Sequence, residues 1–265
     1  MAATTVPGFD HIVVVIEENH SYSQIIGSAS APYINSLAKG GALFTDSHGV
    51  THPSQPNYIA FFTGSTQGVT TDGCPTDFPA SVLNLSALLE GFGFTFTGYS
   101  ETMPSVGYTG CSFNKLYFRK HNPWADFASL PATQNQPFTS FPDSANYASL
   151  PSLAVVVPNQ LNDMHSGTIE RADTWLKTNI DAYAQWAKAN NSLLIVTWDE
   201  NDRSPGNKIP TIFYGANVKT GKYTERINHY NVLRTIEASF GLPGMKKEKA
   251  LTPILDCWST PRKKH

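Results

Sequence analysis

His11-Ile12-Val13-Val14-Val15-Ile16-Glu17-Glu18-Asn19-His20-Ser21 is a β-branched apolar run that breaks off into acid, amide, imidazole and hydroxyl. A short continuous apolar run without alternation reads as a strand buried on both faces, the habit of a parallel sheet covered by helices. The polar residues after it then stand beyond the carboxyl end of the strand, where open α/β sheets build their sites.

Working outward, the chain alternates strand-like and helix-like segments. Strands are expected at His11–Ile16, Ala42–Asp46, Phe94–Tyr99, Leu153–Val157, Leu193–Trp198 and Thr211–Tyr214. Helices are expected at Ala31–Gly40, Pro56–Thr63, Val82–Glu90, Glu170–Lys188 and Asn231–Phe240, several of them stopped by glycine. This order predicts an α/β fold, a three-layer α/β/α sandwich around a mostly parallel sheet. Residues 1–265 read as one domain. The stretch 103–151, rich in Pro, Gly, Asn, Ser and aromatics, reads as a loop-rich cap over one face.

The balance of 19 Lys+Arg against 21 Asp+Glu argues against a nucleic-acid binder, which needs a basic stripe. No apolar run approaches the length of a membrane span. Only 15% of the 265 residues are charged, against about 25% in ordinary soluble domains. Ser, Thr, Asn, Gln and Tyr must therefore cover the surface, a composition that leans towards a secreted or extracytoplasmic protein. MAATTVPG has no basic and apolar segments of a signal peptide, so the residues read as a mature domain carrying an initiator Met. Cys74 and Cys111 both lie in loop-like sequence, TTDGCPTD and GYTGCSFN, and are expected to pair as a disulfide. The alternative is three unpaired thiols, Cys257 included. A monomer is expected.

Polar residues gather where strands end. Glu18 and Asn19 come after the first strand, and Asp199 and Glu200 after Trp198. Ser54 opens a helix, and His52, Asp163, His165 and His229 flank other junctions. Taken singly, each has an ordinary explanation as a helix cap or a structural histidine. Together they suggest phosphoryl transfer. Glu18, Asn19, Asp199 and Glu200 offer hard oxygen ligands suited to Mg²⁺, Ca²⁺ or Mn²⁺. Ser54 at a helix start meets backbone N–H groups that favour an anion, and a cation on its oxygen would turn it into a nucleophile. His165 or His229 would protonate the leaving oxygen at mildly acidic pH.

IVVVIEENHS followed by APYINSLAKGGA resembles the opening of the alkaline phosphatase superfamily, and THPSQPNYIAFFTG resembles its nucleophile segment. TWDEND and NHYNVLRTIE resemble its second metal-binding strand end and late histidine motif. Glu18-Asn19, PNQLNDMH and the stretch Lys120–Trp124 look like the acid phosphatase and phospholipase C branch, and closer still resemble the group of small secreted bacterial acid phosphatases. The resemblance runs from about His11 to Leu242. It implies phosphate monoester hydrolysis, phosphoinositides among the substrates, through a phosphoseryl intermediate on Ser54, with His165 and His229 near the phosphoryl group. It implies a single divalent metal on Glu18, Asn19, Ser54, Asp199 and Glu200, with Ca²⁺ or Mg²⁺ ahead of Mn²⁺ or Zn²⁺. His52 and Asp163 would orient the phosphate or support the site, and Asn57 would bind the substrate. The segment Asn159 to His165 departs from the pattern of two-metal relatives, and His20 stands where many relatives carry Arg. Two other readings stay open. One is a phosphodiesterase or phospholipase C with the same serine and metal. The other is a binding protein whose cation only staples loops.

Overall fold

The computed structural model describes residues 5–245 and 251–259. The chain lays down β1 (His11–Glu17), α1 (Tyr22–Ile25), α2 (Pro32–Gly40), β2 (Ala42–His48), α3 (Ser54–Thr63), α4 (Leu85–Gly91), β3 (Phe96–Ser100), β4 (Ser112–Phe113), β5 (Tyr117–Phe118), β6 (Asn135–Pro137), β7 (Leu153–Val157), α5 (Ile169–Ala189), β8 (Ser192–Trp198), β9 (Lys208–Gly215), β10 (Gly221–Asn228) and α6 (His229–Ser239). One sheet of eight strands runs β10-β2-β9-β8-β1-β7-β3-β6, and β4 and β5 make a separate hairpin. β9 is antiparallel to β2 and β8; the other paired neighbours in the sheet are parallel.

The apolar run lies in the middle, as its lack of alternation implies. Ile12, Val14 and Ile16 face a core shared with residues of α3, α4 and α6. Val13 and Val15 face the opposite core, built with α2 and α5. Helices thus cover both faces of the sheet, and the fold is the expected three-layer sandwich. α3 is buried on every side, and its polar residues Ser54, Gln55, Asn57 and Thr63 are each hydrogen-bonded. It starts at Ser54 rather than Pro56, because a proline in the first turn lacks only an N–H that would have no helical partner.

Two strands of the sheet escape the sequence reading. β10 buries only Tyr223 and Ile227, and its ladder shifts between Tyr223 and Arg226, which breaks the two-residue period. β6 is Asn-Gln-Pro, held by backbone pairing to β3 with no apolar signature. The stretch 103–151 is more ordered than its composition suggests, with short 3-10 turns, the β4–β5 hairpin and this edge strand. Trp124 pins it to the sheet. The indole N–H donates to Asn135 Oδ1 at 2.8 Å, and the ring lies directly over Gly98 of β3.

A Cβ at Gly98 would stand 2.1 Å from Trp124 Cε2. Gly98→Ala is therefore expected to cost about 1–3 kcal/mol by overpacking. Thermal unfolding should show a fall in Tm of roughly 3–10 °C. Gly91→Ala, where an added Cβ meets nothing within 4 Å, is the control and should not lower Tm.

Candidate active site

Parallel strands end on the same edge of a sheet, so the residues just beyond β1 and β8 and the loop after β2 meet there. The Ser54 hydroxyl lies 3.1 Å from Glu18 Oε2 and 3.3 Å from Glu200 Oε1, and its single proton can serve either. Asn19 Nδ2 donates to Glu18 Oε2 at 2.8 Å, and the Asn19 N–H donates to Asp199 Oδ1 at 3.2 Å. A φ of 55° at Asn19 makes that turn, a left-handed conformation that asparagine tolerates. The Tyr58 hydroxyl donates to Glu18 Oε1 at 2.6 Å, and His52 Nδ1 lies 2.5 Å from Glu200 Oε2. Five residues expected as ligands, from segments far apart in the chain, form one connected cluster.

Capping does not account for them. The N-cap of α3 is Pro53, and Ser54 is already inside the helix with its hydroxyl turned towards the carboxylates. The short helix after Glu18 is capped by Ser21 and Gln24 instead.

Glu18, Asp199 and Glu200 are 0%, 1% and 3% exposed. Burial pushes the Glu18 carboxyl well up, and Asp163 adds to this. Burial does the same at Asp199, reinforced by Glu18 and Glu200. Glu200 is also raised by burial, although His52 opposes the shift. Asp199 Oδ2 is buried without a hydrogen-bond partner. Packed carboxylates of this kind need a proton or a cation. Carboxylates, a hydroxyl and an amide make a hard oxygen set, the chemistry of Mg²⁺, Ca²⁺ or Mn²⁺. Among the described residues, no three His, Cys, Asp or Glu side chains already enclose a common point. The fit of a cation therefore rests on the donor set and on the orphaned Asp199 oxygen.

Other expected residues take different places. Asn57 is not turned towards a substrate. Its amide oxygen accepts from the N–H groups of Val50 and Thr51, and its Nδ2 donates to the carbonyls of Thr51 and Pro53. It shapes the loop that delivers Ser54. Asp163 is fully buried; Oδ1 accepts the His165 N–H at 2.8 Å, and its carbonyl accepts the Glu18 N–H at 2.8 Å. It ties the loop after β7 to the end of β1.

His229 reaches the site through the end of β8. Its Nε2–H donates to the Asp199 carbonyl at 2.5 Å, and burial pushes its pKa down to about 4. The ring is neutral and braces the end of β8. His165 stands at the exposed rim, its pKa lowered by partial burial and then by Lys120. His20 Nδ1 sits 3.0 Å from the Glu18 carbonyl.

His121 is the residue the sequence reading missed. It is buried, its Nε2 lies 3.2 Å from Glu18 Oε1, and its ring stacks on Tyr58 with centroids 5.2 Å apart. Gln160 Nε2 donates to its Nδ1 at 3.2 Å, which leaves the ring proton on Nε2, a buried atom without a hydrogen-bond partner although the Glu18 carboxylate is near. Burial first, then Lys120 and His165, keep it neutral. Its only sequence signal is its place within Lys120–Trp124. Cys74 and Cys111 form the expected disulfide, with Cα atoms 5.6 Å apart, and Cys257 is a buried thiol.

A phosphatidylinositol-3-phosphatase of Mycobacterium tuberculosis is 50% identical over 258 residues, covering 97% of this chain and 86% of that protein. An acid phosphatase of Aspergillus fumigatus is 30% identical, covering 94% of this chain and 58% of that protein. In fold, the chain is similar to an alkaline phosphatase superfamily protein of Vibrio parahaemolyticus, with a TM-score of 0.63 at 13% identity, covering 91% of this chain and 68% of that one. A phosphonate monoester hydrolase of Agrobacterium radiobacter gives 0.59 at 12% identity, with coverages of 88% and 74%. The Phosphoesterase family pattern matches residues 28–243, from before α2 to beyond α6, taking in Ser54, Asp199, Glu200 and His229. The chain belongs to the Phosphoesterase family.

Proposed function

We propose that this phosphoric monoester hydrolase acts as an acid phosphatase with Ser54 as nucleophile, on small phosphate monoesters and phosphoinositide headgroups. The observation that carries the reading is the Ser54 hydroxyl, 2% exposed and facing two buried carboxylates at the amino end of α3. Ser54 Oγ bonds to phosphorus, its proton passes to a facing carboxylate, and the ester P–O bond breaks. His165 at the rim protonates the leaving alcohol; its lowered pKa supplies that proton on the acid side of neutrality. Water then displaces Ser54, whose oxygen recovers a proton as phosphate leaves. The partial charges at the amino end of α3 favour the phosphoryl oxygens throughout.

Glu18, Asn19, Ser54, Asp199 and Glu200 would hold one divalent cation, with Ca²⁺ or Mg²⁺ ahead of Mn²⁺ or Zn²⁺. When bound, it supplies positive charge against the phosphoryl oxygens and lowers the pKa of the Ser54 hydroxyl. The solvent-exposed disulfide supports a place outside the cytoplasm. No helix among the described residues is long and apolar enough to cross a membrane.

Steady-state assays of p-nitrophenyl phosphate beside its bis-ester test the reaction class. The monoester is expected to be turned over at least about tenfold faster, a difference of about 1.4 kcal/mol in barrier. Comparable turnover of the diester would overturn the monoesterase reading in favour of a phosphodiesterase with the same serine.

A further inference from the structure

We propose that Lys120 is the rim cation that receives the phosphate ester and that Asp72 is its resident competitor, so that the pair sets affinity for the substrate. This rests on the phosphatase reading above. Lys120 Nζ donates to Asp72 Oδ2 at 2.6 Å. The other oxygen of the same carboxylate, Oδ1, accepts the Gln55 N–H at 3.0 Å. Gln55 comes directly after Ser54 in the first turn of α3. One internal carboxylate therefore bridges an ammonium group and a backbone N–H at the amino end of the nucleophile helix. Those are the two kinds of donor that hold phosphate oxygens.

The arrangement is built into the loop. Gly73 N–H donates to Gln55 Oε1 at 2.7 Å, Gln55 Nε2 donates to Thr76 Oγ1 at 2.9 Å, and Cys74 is bonded to Cys111. The backbone around Asp72 is thus tied down, and rotation of the Asp72 side chain is enough to release Lys120. Arg119, next along the chain, is committed elsewhere, to Asp77 and to buried Asp126. Lys120 remains to face the site. The charges of Lys120 and Asp72 act in opposite senses on His165 at the rim. The Gln55 N–H bond to Asp72 places the pair beside the residue that follows Ser54 in the chain. Beside them lies a cleft of about 280 Å³ between the disulfide-linked loops, lined also by Gly73, Ser112 and Phe118.

Opposite signs in two variants separate this device from a structural ion pair. Lys120→Met is expected to raise both the Kd for inorganic phosphate and the KM for p-nitrophenyl phosphate about tenfold, with kcat within about twofold. Asp72→Asn keeps an oxygen for the Gln55 N–H but removes the competing charge. It is expected to lower both constants about threefold, and to lose this effect when combined with Lys120→Met. Lys120→Arg should restore most of the affinity. Calorimetry with inorganic phosphate gives Kd independently of turnover. Weakened binding in both single variants, as loss of a structural pair would produce, overturns the proposal; so does no change in either. A wild-type protein that hydrolyses no phosphate monoester overturns the phosphatase reading instead. Phosphate binding by the same variants then still decides the role of the pair.

Discussion

Ser54→Ala is expected to reduce turnover of a phosphate monoester by roughly three orders of magnitude or more, the scale seen when a nucleophile is removed. The fold should survive. Ser54 is not the cap of α3, and alanine is the best residue for a helical position. The loss is one hydroxyl donor shared between Glu18 Oε2 and Glu200 Oε1. Leaving buried acceptors without that donor costs about 1–3 kcal/mol at most, a few degrees in a chain of this size. Far-ultraviolet circular dichroism and thermal unfolding check the fold, and single-turnover assays check the chemistry. A folded Ser54→Ala protein that retains turnover would show the cluster to be a scaffold, as the loop-stapling reading requires.

The second large effect comes from charge. Prolonged chelation is expected to abolish activity, and one equivalent of Ca²⁺ or Mg²⁺ per chain to restore it. Binding of a second tight equivalent would contradict the single-ion site. The same ion, at about 100 times its Kd, should stabilise the fold by about 2.7 kcal/mol, or a rise in Tm of roughly 5–10 °C. The pH dependence has a definite sign. Glu18, Asp199 and Glu200 all have raised pKa values in the folded chain. Below the usual carboxylate range they are protonated in both folded and unfolded chains, and stability is highest with respect to them. As pH rises through the raised values, the unfolded chain ionises more readily, and that stability is lost. The ion-free protein should therefore lose Tm as pH rises, and the bound cation should flatten the fall. Asp199→Asn is expected to abolish turnover while raising the Tm of the ion-free protein. A variant that is less active yet more stable identifies a carboxylate whose charge serves function, because buried polar groups kept only for stability lose both together.

Much of this site was legible residue by residue. Glu18, Asn19, Asp199 and Glu200 stand directly after apolar runs, and parallel strands deliver the residues at their carboxyl ends to one edge of the sheet. Ser54 was legible because Pro56 marks a first helical turn, although the helix begins at Ser54 itself. The histidines were not separable in this way. His229, His165 and His121 each sit near polar sequence, but burial lowers the His229 pKa while its bond to the Asp199 carbonyl, from a different element, opposes that shift. His121 enters the site through Glu18, Tyr58 and Gln160, all remote from it in the chain. Asn57 lies in the nucleophile segment, yet its amide closes four bonds within its own loop.

The sequence alone determined the strand cores, the alternation with helices and the acids at strand ends. All of these come from local patterning or from covalent adjacency to a strand. Tertiary structure alone decided that β9 runs against its neighbours, that β10 and β6 complete the sheet, and which partners each histidine meets. These edge strands carry little apolar pattern because few of their side chains are covered; β10 buries only Tyr223 and Ile227. An imidazole's protonation depends on burial and on partners that only folding brings within hydrogen-bond distance. The same reason hides the Asp72 bridge, whose two donors, Gln55 and Lys120, lie on opposite sides of it in the chain and meet only through the fold.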